Sequence, residues 1–395
     1  MKGWKECKLG DLSEVKGGKR LPLGSNLTET ATSHPYIRTR DINNNKIAIN
    51  ELLFVPDEVF PAIKRYTVDK GDVIVSIVGT IGLCSIIPSK LHLASLTENC
   101  AKIVNIDENI LDKKFLFYYL ISSDGQDEIL SRNVGSTQPK LPLYNIKDIP
   151  ILLPPLPEQK AIAAVLSSLD DKIDLLHRQN KTLEAMAETL FRQWFVEEAD
   201  ERWETVKLGN YIETNVSSIK KEFPSSEIRY LDTGSLNEGK IDGFQFFNLT
   251  DAPSRAKRIV KHNDVLISTV RPDQKHYGII KNPENDIIVS TGFCVISCKK
   301  LNPHFVYIFL TNSDMTEYLH SIAEGSTSTY PSLKPSDIEN LEFQMPPQDK
   351  LKSFSDYADN AWDKIEYNYK QQIILENLRD SLLPQLMSGE VRVKV

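Results

Sequence analysis

Between Leu153 and Val196 the apolar positions advance by four and three residues without a break. Ile162, Leu169, Leu176, Leu183 and Leu190 form one register; Leu166, Ile173, Asn180, Ala187 and Trp194 form the other. A 3.5-residue repeat held over about five heptads predicts a helix with a coiled-coil seam. Pro154 and Pro155 close the segment before it, and Pro157 suits the first helical turn, where its missing N–H costs nothing. Glu158 would face the positive end of the helix dipole. At 1.5 Å per residue such a rod is roughly 50 Å long. Its apolar stripe needs a partner.

The chain supplies one. From Gln348 to Met387 the same landmarks return, 363 − 171 = 192 positions later: Asp171-Lys172-Ile173 falls on Asp363-Lys364-Ile365, Leu183 on Leu375, Leu190 on Leu382 and Gln193 on Gln385. Pro346-Pro347 introduces this copy as Pro154-Pro155 introduces the first. The second seam is more polar, with Asn368, Gln372 and Arg379 in place of Leu176, Asn180 and Ala187. If the two rods pair antiparallel about a pseudo-twofold, Asn180 meets Asn368 in a polar layer that sacrifices stability to fix register.

The segments between the rods repeat as well. Trp4 with Lys8-Leu9-Gly10 matches Trp203 with Lys207-Leu208-Gly209, and Tyr36-Ile37 is echoed by Tyr230-Leu231. The short β-branched runs Val73-Ile74-Val75-Ser76 and Val265-Leu266-Ile267-Ser268, each after a polar turn, predict buried strands. Short aromatic helices are expected over 115–122 and 305–312, and each half ends in a Gly-Ser-Thr turn, at Gly135 and Gly325. The expected architecture is α+β and duplicated: globules at 1–152 and 199–345, a long helix at 153–198, and a second long helix with a C-terminal tail at 346–395. Alternation in Val391-Arg392-Val393-Lys394-Val395 predicts a strand-like tail packing beside the Trp4 segment. Short insertions fall inside the globules, as expected of two modules that read different things.

A net charge of −7 argues against a nucleic-acid binder that works alone. Its distribution changes the picture. Residues 1–150 carry 19 Lys/Arg against 18 Asp/Glu, whereas 151–200 carry 5 against 9. The acid lies on the first rod, so contact with phosphates should come from the globules. Five cysteines without CxxC spacing predict buried free thiols, and no segment has the apolar length of a signal peptide core or a membrane span. Those features predict a cytoplasmic protein with no membrane association.

Three strings carry a family resemblance. Leu153-Pro154-Pro155-Leu156-Pro157-Glu158-Gln159-Lys160-Ala161-Ile162 resembles the entry to the central conserved helix of the DNA-specificity subunits of type I restriction-modification enzymes. Leu190-Phe191-Arg192-Gln193-Trp194-Phe195-Val196 resembles its exit, and Leu382 to Val391 resembles the distal conserved end. The resemblance covers the whole chain. It implies two target-recognition domains separated by two antiparallel helices, each domain reading one half of a bipartite, asymmetric site on double-stranded DNA. It also implies two methyltransferase subunits docked on the helices, with restriction subunits able to join. S-adenosylmethionine, ATP and Mg would then serve those partners, and this chain would hold no cofactor.

Base edges are read by bidentate side chains, while cations and small hydroxyls hold phosphates. The candidates in the first globule are Lys19, Arg20, Arg38, Thr39 and Arg40, with Ser136, Thr137, Gln138 and Lys140 in the Gly-Ser-Thr turn; Gly17-Gly18 would let backbone approach a phosphate. In the second they are Arg271, Gln274, Lys275, His276 and Tyr277, with Ser326, Thr327, Ser328, Thr329 and Tyr330 mirroring the turn. Arg255, Lys257, Arg258 and Lys261 form another basic run, equally compatible with phosphate contact and a solvated face. The second globule has Ser268-Thr269-Val270-Arg271-Pro272-Asp273 where the first has Ser76-Ile77-Val78-Gly79-Thr80-Ile81-Gly82, so the two half-sites should differ. There is no GxxxxGK[ST] loop, no Asn/Asp-Pro-Pro-aromatic tetrad and no HxxxH pair, which argues against a solitary nuclease, methyltransferase or metal site. A duplicated coiled-coil adaptor that binds proteins rather than DNA is the alternative.

Overall fold

The computed structural model describes residues 3–135, 137–220, 223–325 and 331–394. The first long helix spans Leu156–Arg192 and runs into a π-helical turn, Gln193–Glu197; the second spans Gln348–Met387. The chain divides into two compact units, residues 1–175 with 371–395 and residues 176–370. Each unit holds one globule together with half of each long helix.

Within each unit the helix halves run antiparallel. In the first, Arg379 donates to Asp170 (2.9 Å) and Arg392 pairs with Glu158, so partners ascend one strand of the pair as they descend the other. Ile162 and Leu166 are buried in one core with Leu386 and Met387, and Leu382 packs against it. In the second unit, Phe191 meets Phe354 edge-on at 5.9 Å and Lys350 donates to Glu198 (3.0 Å). Ala187, Ile365 and Trp362 are buried there, with Leu183, Leu190 and Trp194 packed against them. Seam positions Leu176 and Gln372 are buried; Leu169, Ile173 and Leu375 are half-buried. In the second unit, Asn368 Nδ2 donates to Asn180 Oδ1 at 2.8 Å, and both residues are at most 2 % exposed.

The globules share one topology strand for strand. In the first, one sheet has the spatial order Leu53–Phe54, Pro35–Ile37, Ala94–Leu96, Thr67–Val68, and the other Glu14–Gly17, Cys100–Val104, Val73–Ser76, Cys84–Ile86. In the second, the corresponding orders are Gln245–Asn248, Glu227–Leu231, Ile287–Ser290, Ala256–Ile259 and Ile212–Thr214, Phe293–Cys298, Val265–Ser268, Tyr277–Ile279. The run Val73–Ser76 is buried throughout because both faces are covered. Val73 and Val75 face the helix-side core while Ile74 faces the core between the sheets; Val265, Ile267 and Leu266 repeat that split. The aromatic helices are Lys113–Ile121, capped by Asp112, and Pro303–Thr311, capped by Asn302.

Polar contacts fix each globule to its helix halves. The buried Gln159 amide donates to the Ile110 and Pro154 carbonyls and accepts from Asp112 N–H (2.8–2.9 Å), and the Tyr118 hydroxyl donates to Asp170 (2.6 Å). In the second unit Lys281 Nζ donates to His304 Nε2, and His304 Nδ1 donates to Asp359, both at 2.8 Å. Burial and the Lys281 charge hold His304 down to about 4, so the ring is neutral. The C-terminal tail does reach the Trp4 segment: the Arg392 guanidinium lies 5.8 Å from the Trp4 ring centroid, and Val393 packs on the same core. It forms no strand over 388–394, being held by those side chains and by Val391 N–H donating to Gln385 O (3.0 Å), and among the described residues Lys5–Lys8 pairs only with Pro150–Leu153.

Glu184 of the first helix faces Gly239 in the hairpin Leu236–Asn237/Lys240–Ile241. Burial raises its carboxyl to about 7, and Glu188 and Glu238 push in the same direction, against Lys181. A carboxyl whose folded pKa exceeds its unfolded value favours the fold fully below the unfolded value, and that contribution is lost as pH rises to about 7. Glu184→Gln should therefore gain stability relative to wild type between about pH 4.5 and 7 and hold that gain above; denaturant midpoints at acid and neutral pH measure it, and a pH-independent difference would contradict it. Asn368→Ala should cost about 1–3 kcal/mol by orphaning a buried amide, and the double change to leucine at Asn180 and Asn368 should restore most of that loss in the same unfolding assay.

Candidate nucleic-acid interface

Parallel pairing sets the geometry of each globule. Pro35–Ile37 runs parallel to Ala94–Leu96, and Glu227–Leu231 parallel to Ile287–Ser290. The second strand of each pair then crosses into the other sheet, through Thr97–Asn99 in the first unit and Thr291–Gly292 in the second. Nearly every candidate segment is stitched to one of these crossovers.

In the first unit, Lys19 N–H donates to the Leu96 carbonyl (2.8 Å) and Ile77 N–H to that of Asn99 (2.8 Å). Leu141 N–H donates to Ile77 O, and Val134 and Lys140 exchange two backbone bonds of 2.9 Å, which bring the Gly-Ser-Thr turn to the loop after Val73–Ser76. In the second, Thr269 N–H donates to Gly292 O (2.8 Å), Leu333 N–H to Thr269 O (2.7 Å) and Arg271 N–H to Pro331 O (3.3 Å). The buried hydroxyls of Ser76 and Ser268 tie down their own loops by donating to Thr80 O and Val270 O (2.6 and 2.9 Å). The strand-end loop thus lies beside Val134–Leu141 in the first unit and beside Pro331–Leu333 in the second.

The individual side chains separate into groups. Arg40, Thr137, Gln138 and Lys140 are exposed, and their side chains have no hydrogen-bond or ion-pair partner among the described residues. Arg271 and Gln274 are likewise exposed and free, on a loop where Arg271 (φ 48°) and Lys275 (φ 56°) both adopt left-handed backbone that non-glycine residues resist. Lys275 pairs with Glu238 (3.2 Å). Arg20 donates to Glu98 (2.6 Å), and Lys19 lies 5.9 Å from the Tyr66 ring centroid.

Others turn inward. Arg38 Nε and Nη2 grip both oxygens of the buried Asp41 (2.9 and 2.7 Å), with Asp41 raising the guanidinium pKa, so most of its donor edge is taken up by its own turn. Thr39 Oγ1 is 3.7 Å from Cys100 Sγ. His276 Nδ1 donates to Leu236 O (2.9 Å), and Tyr277 stacks edge-on with Tyr307 at 5.9 Å; burial raises its hydroxyl pKa, so it stays protonated. The absent side chain of Gly18 makes room for protein, since a Cβ there would lie 2.0 Å from the Thr97 carbonyl oxygen; the glycine serves the crossover rather than a phosphate. Ser136, Ser326, Thr327, Ser328, Thr329 and Tyr330 lie outside the described residues.

The crossovers themselves were not singled out from the sequence. Their signal is a strand that must run parallel to its neighbour, which no local pattern in Ala94–Leu96 or Ile287–Ser290 discloses. Among the described residues no group of His, Cys, Asp and Glu could hold a metal ion, and no helix is long and apolar enough to cross a membrane. The five cysteines are free thiols.

Comparison with known proteins agrees with this duplicated design. The model of the type I restriction modification DNA specificity domain matches residues 1–185 and again 200–379. The type I restriction enzyme MjaIX specificity subunit of Methanocaldococcus jannaschii is 27% identical over 419 residues, covering 100% of this chain and 94% of its own. A putative MjaX specificity subunit from the same organism is 26% identical over 425 residues, covering 99% and 94%. The crystal structure of a type I restriction-modification S subunit from M. genitalium shares the fold, with a TM-score of 0.57 over 97% of this chain and 96% of that one at 16% identity. Matched twice along its length, with one topology in both globules, this chain belongs to the type I restriction-modification DNA specificity family.

Proposed function

We propose that the chain is the non-catalytic reading subunit of its complex: each globule reads one half of a bipartite, asymmetric site on double-stranded DNA, and the long helices position two methyltransferase subunits. The observation that carries this is the pair of matched crossovers, each edged by a strand-end loop of equivalent placement and different sequence. A protein that reads one sequence twice would have little use for an Ile77–Gly82 turn in one globule and an Arg271–Lys275 turn in the other. Arg40 and Gln138 in the first, and Arg271 and Gln274 in the second, are exposed side chains without a partner among the described residues, of the kinds that read guanine and adenine edges.

The helices supply the spacing. Half-sites one turn of duplex apart lie about 34 Å from one another, a distance that rods of this length can span. The Asn180–Asn368 layer would fix their register and hence the spacer. Docking of methyltransferase subunits is favoured by apolar surface that the helices leave uncovered: Ile373, Ile374 and Leu378 on the second, and Met186 beside Ala185 and Leu190 on the first. Restriction subunits would join that assembly. We assign S-adenosylmethionine, ATP and Mg to those partners, and place the complex in the cytoplasm with its DNA.

Co-expression with the methyltransferase followed by genome-wide mapping of methyladenine should give one bipartite motif. Arg271→Ala or Gln274→Ala should relax one half of that motif, and Arg40→Ala or Gln138→Ala the other, each lost bidentate contact costing about 1–3 kcal/mol of discrimination. A motif without a gap, relaxation of both halves by one substitution, or methyl transfer by the isolated chain would refute the proposal. Absence of any sequence-specific DNA binding with a methyltransferase supplied would favour the protein-binding adaptor.

A further inference from the structure

One strand in each globule carries unneutralised charge that the reading loops do not account for. Thr67–Val68 and Ala256–Ile259 are edge strands, each antiparallel to the strand that enters the crossover. A basic run leads into each, from the 3₁₀ turn Lys64–Tyr66 in the first and from Arg255 in the second. In the first unit Lys64 and Arg65 are exposed, with Arg65 and Lys19 each 5.9 Å from the ring centroid of Tyr66. In the second, Arg255 and Lys257 are exposed, and a bulge between Ala256 and Arg258 makes Lys257 an extra residue against Ile287–Ser290, its carbonyl accepting instead from Ile219 N–H (2.8 Å).

None of these four side chains has a carboxylate partner among the described residues, in a protein whose net charge is −7. Other cations of the globules are spoken for: Arg20 by Glu98, and Arg229 by Asp286. Arg258 points inward and donates to Ser218 (3.4 Å), while its buried Nε has no partner. Main-chain carbonyls of both runs are tied beside the crossovers. Thr291 N–H donates to Arg255 O (2.8 Å), and Lys102 Nζ donates to Thr67 O.

We infer that Lys64–Arg65 and Arg255–Lys257 are a matched pair of phosphate grips, each binding the sugar-phosphate backbone of duplex DNA next to the reading loops of its own globule. Like charges gathered without counterions repel one another, and a polyanion removes that repulsion while releasing its condensed counterions. Tyr66 holds Lys19 and Arg65 about one ring, so that both cations can meet one phosphate run. Contacts of this kind position the protein and carry no sequence information. The duplication of the grips, against the divergence of the loops, is what separates a backbone anchor from a base reader.

This inference rests on the DNA-reading assignment above, and the test keeps the two apart. The chain bound to its methyltransferase is titrated with duplex DNA carrying the mapped site, and with the same duplex scrambled in both halves, across a series of salt concentrations. Lys64→Ala/Arg65→Ala and Arg255→Ala/Lys257→Ala should each flatten the log–log salt dependence by about 1.8, at about 0.9 per phosphate contact, and weaken both duplexes by the same factor. The methylation motif should not change. Lys64→Arg/Arg65→Lys, which keeps the charges, should keep the wild-type slope and so exclude loss of folding as the cause. Unchanged slopes in a complex whose wild type binds its site would overturn the grips alone, as would an altered motif, which would make these residues readers. Failure of the wild type to prefer its site would overturn the DNA-reading assignment instead.

Discussion

A long helix with a continuous apolar stripe cannot stay alone in water, and each unit is built around satisfying that constraint. Burial on the second helix follows 351, 354, 358, 361, 365, 368 and 372 and continues through half-buried 375, 379 and 382 to 386, the spacing of a heptad seam. The substitutions that make this copy more polar were absorbed by chemistry suited to each position. Asn368 meets Asn180, and Arg379 meets Asp170 across the seam of the first unit. A polar side chain in such a seam accepts few registers, because any slip would bury it without its partner. The halves are thereby fixed in alignment as well as held together.

The globules hang from the helices through buried polar contacts as well as through apolar packing. Gln159 and Tyr118 serve the first unit; the Lys281–His304–Asp359 relay serves the second. These contacts differ in kind but join the same elements, the aromatic helix and the N-terminal half of a long helix. Duplicated folds are free to change their side-chain chemistry wherever the backbone solution is retained. The crossover is the other retained solution, and it sets a strand-end loop at the same edge of each globule.

Charge completes the division of labour. The acidic surface of the first long helix disfavours contact with phosphates, in keeping with the proposal that DNA meets the crossover edges and protein partners meet the helices' exposed apolar residues. Within the edges, cations that face acids are structural and those without acids are available. Arg38 and Arg65, equally basic in the sequence, fall on opposite sides of that line because only Arg38 has Asp41 three residues away within a closed 3₁₀ turn.

Periodicity and repetition alone determined the two long helices, their antiparallel logic, the buried strands and the duplication, because each depends on spacing along the chain. Tertiary structure decided the rest. The parallel pairing that creates the crossovers depends on residues some sixty positions apart, Tyr36 with Ser95 and Arg229 with Ile287, and no local pattern encodes it. It decided that His276 and Tyr277 face inward, that Gly18 yields to a carbonyl, and that an alternating tail is anchored by Arg392 and Val393 instead of a strand. In each case the side chain's role is set by which distant group meets it, and that is a property of the packed chain.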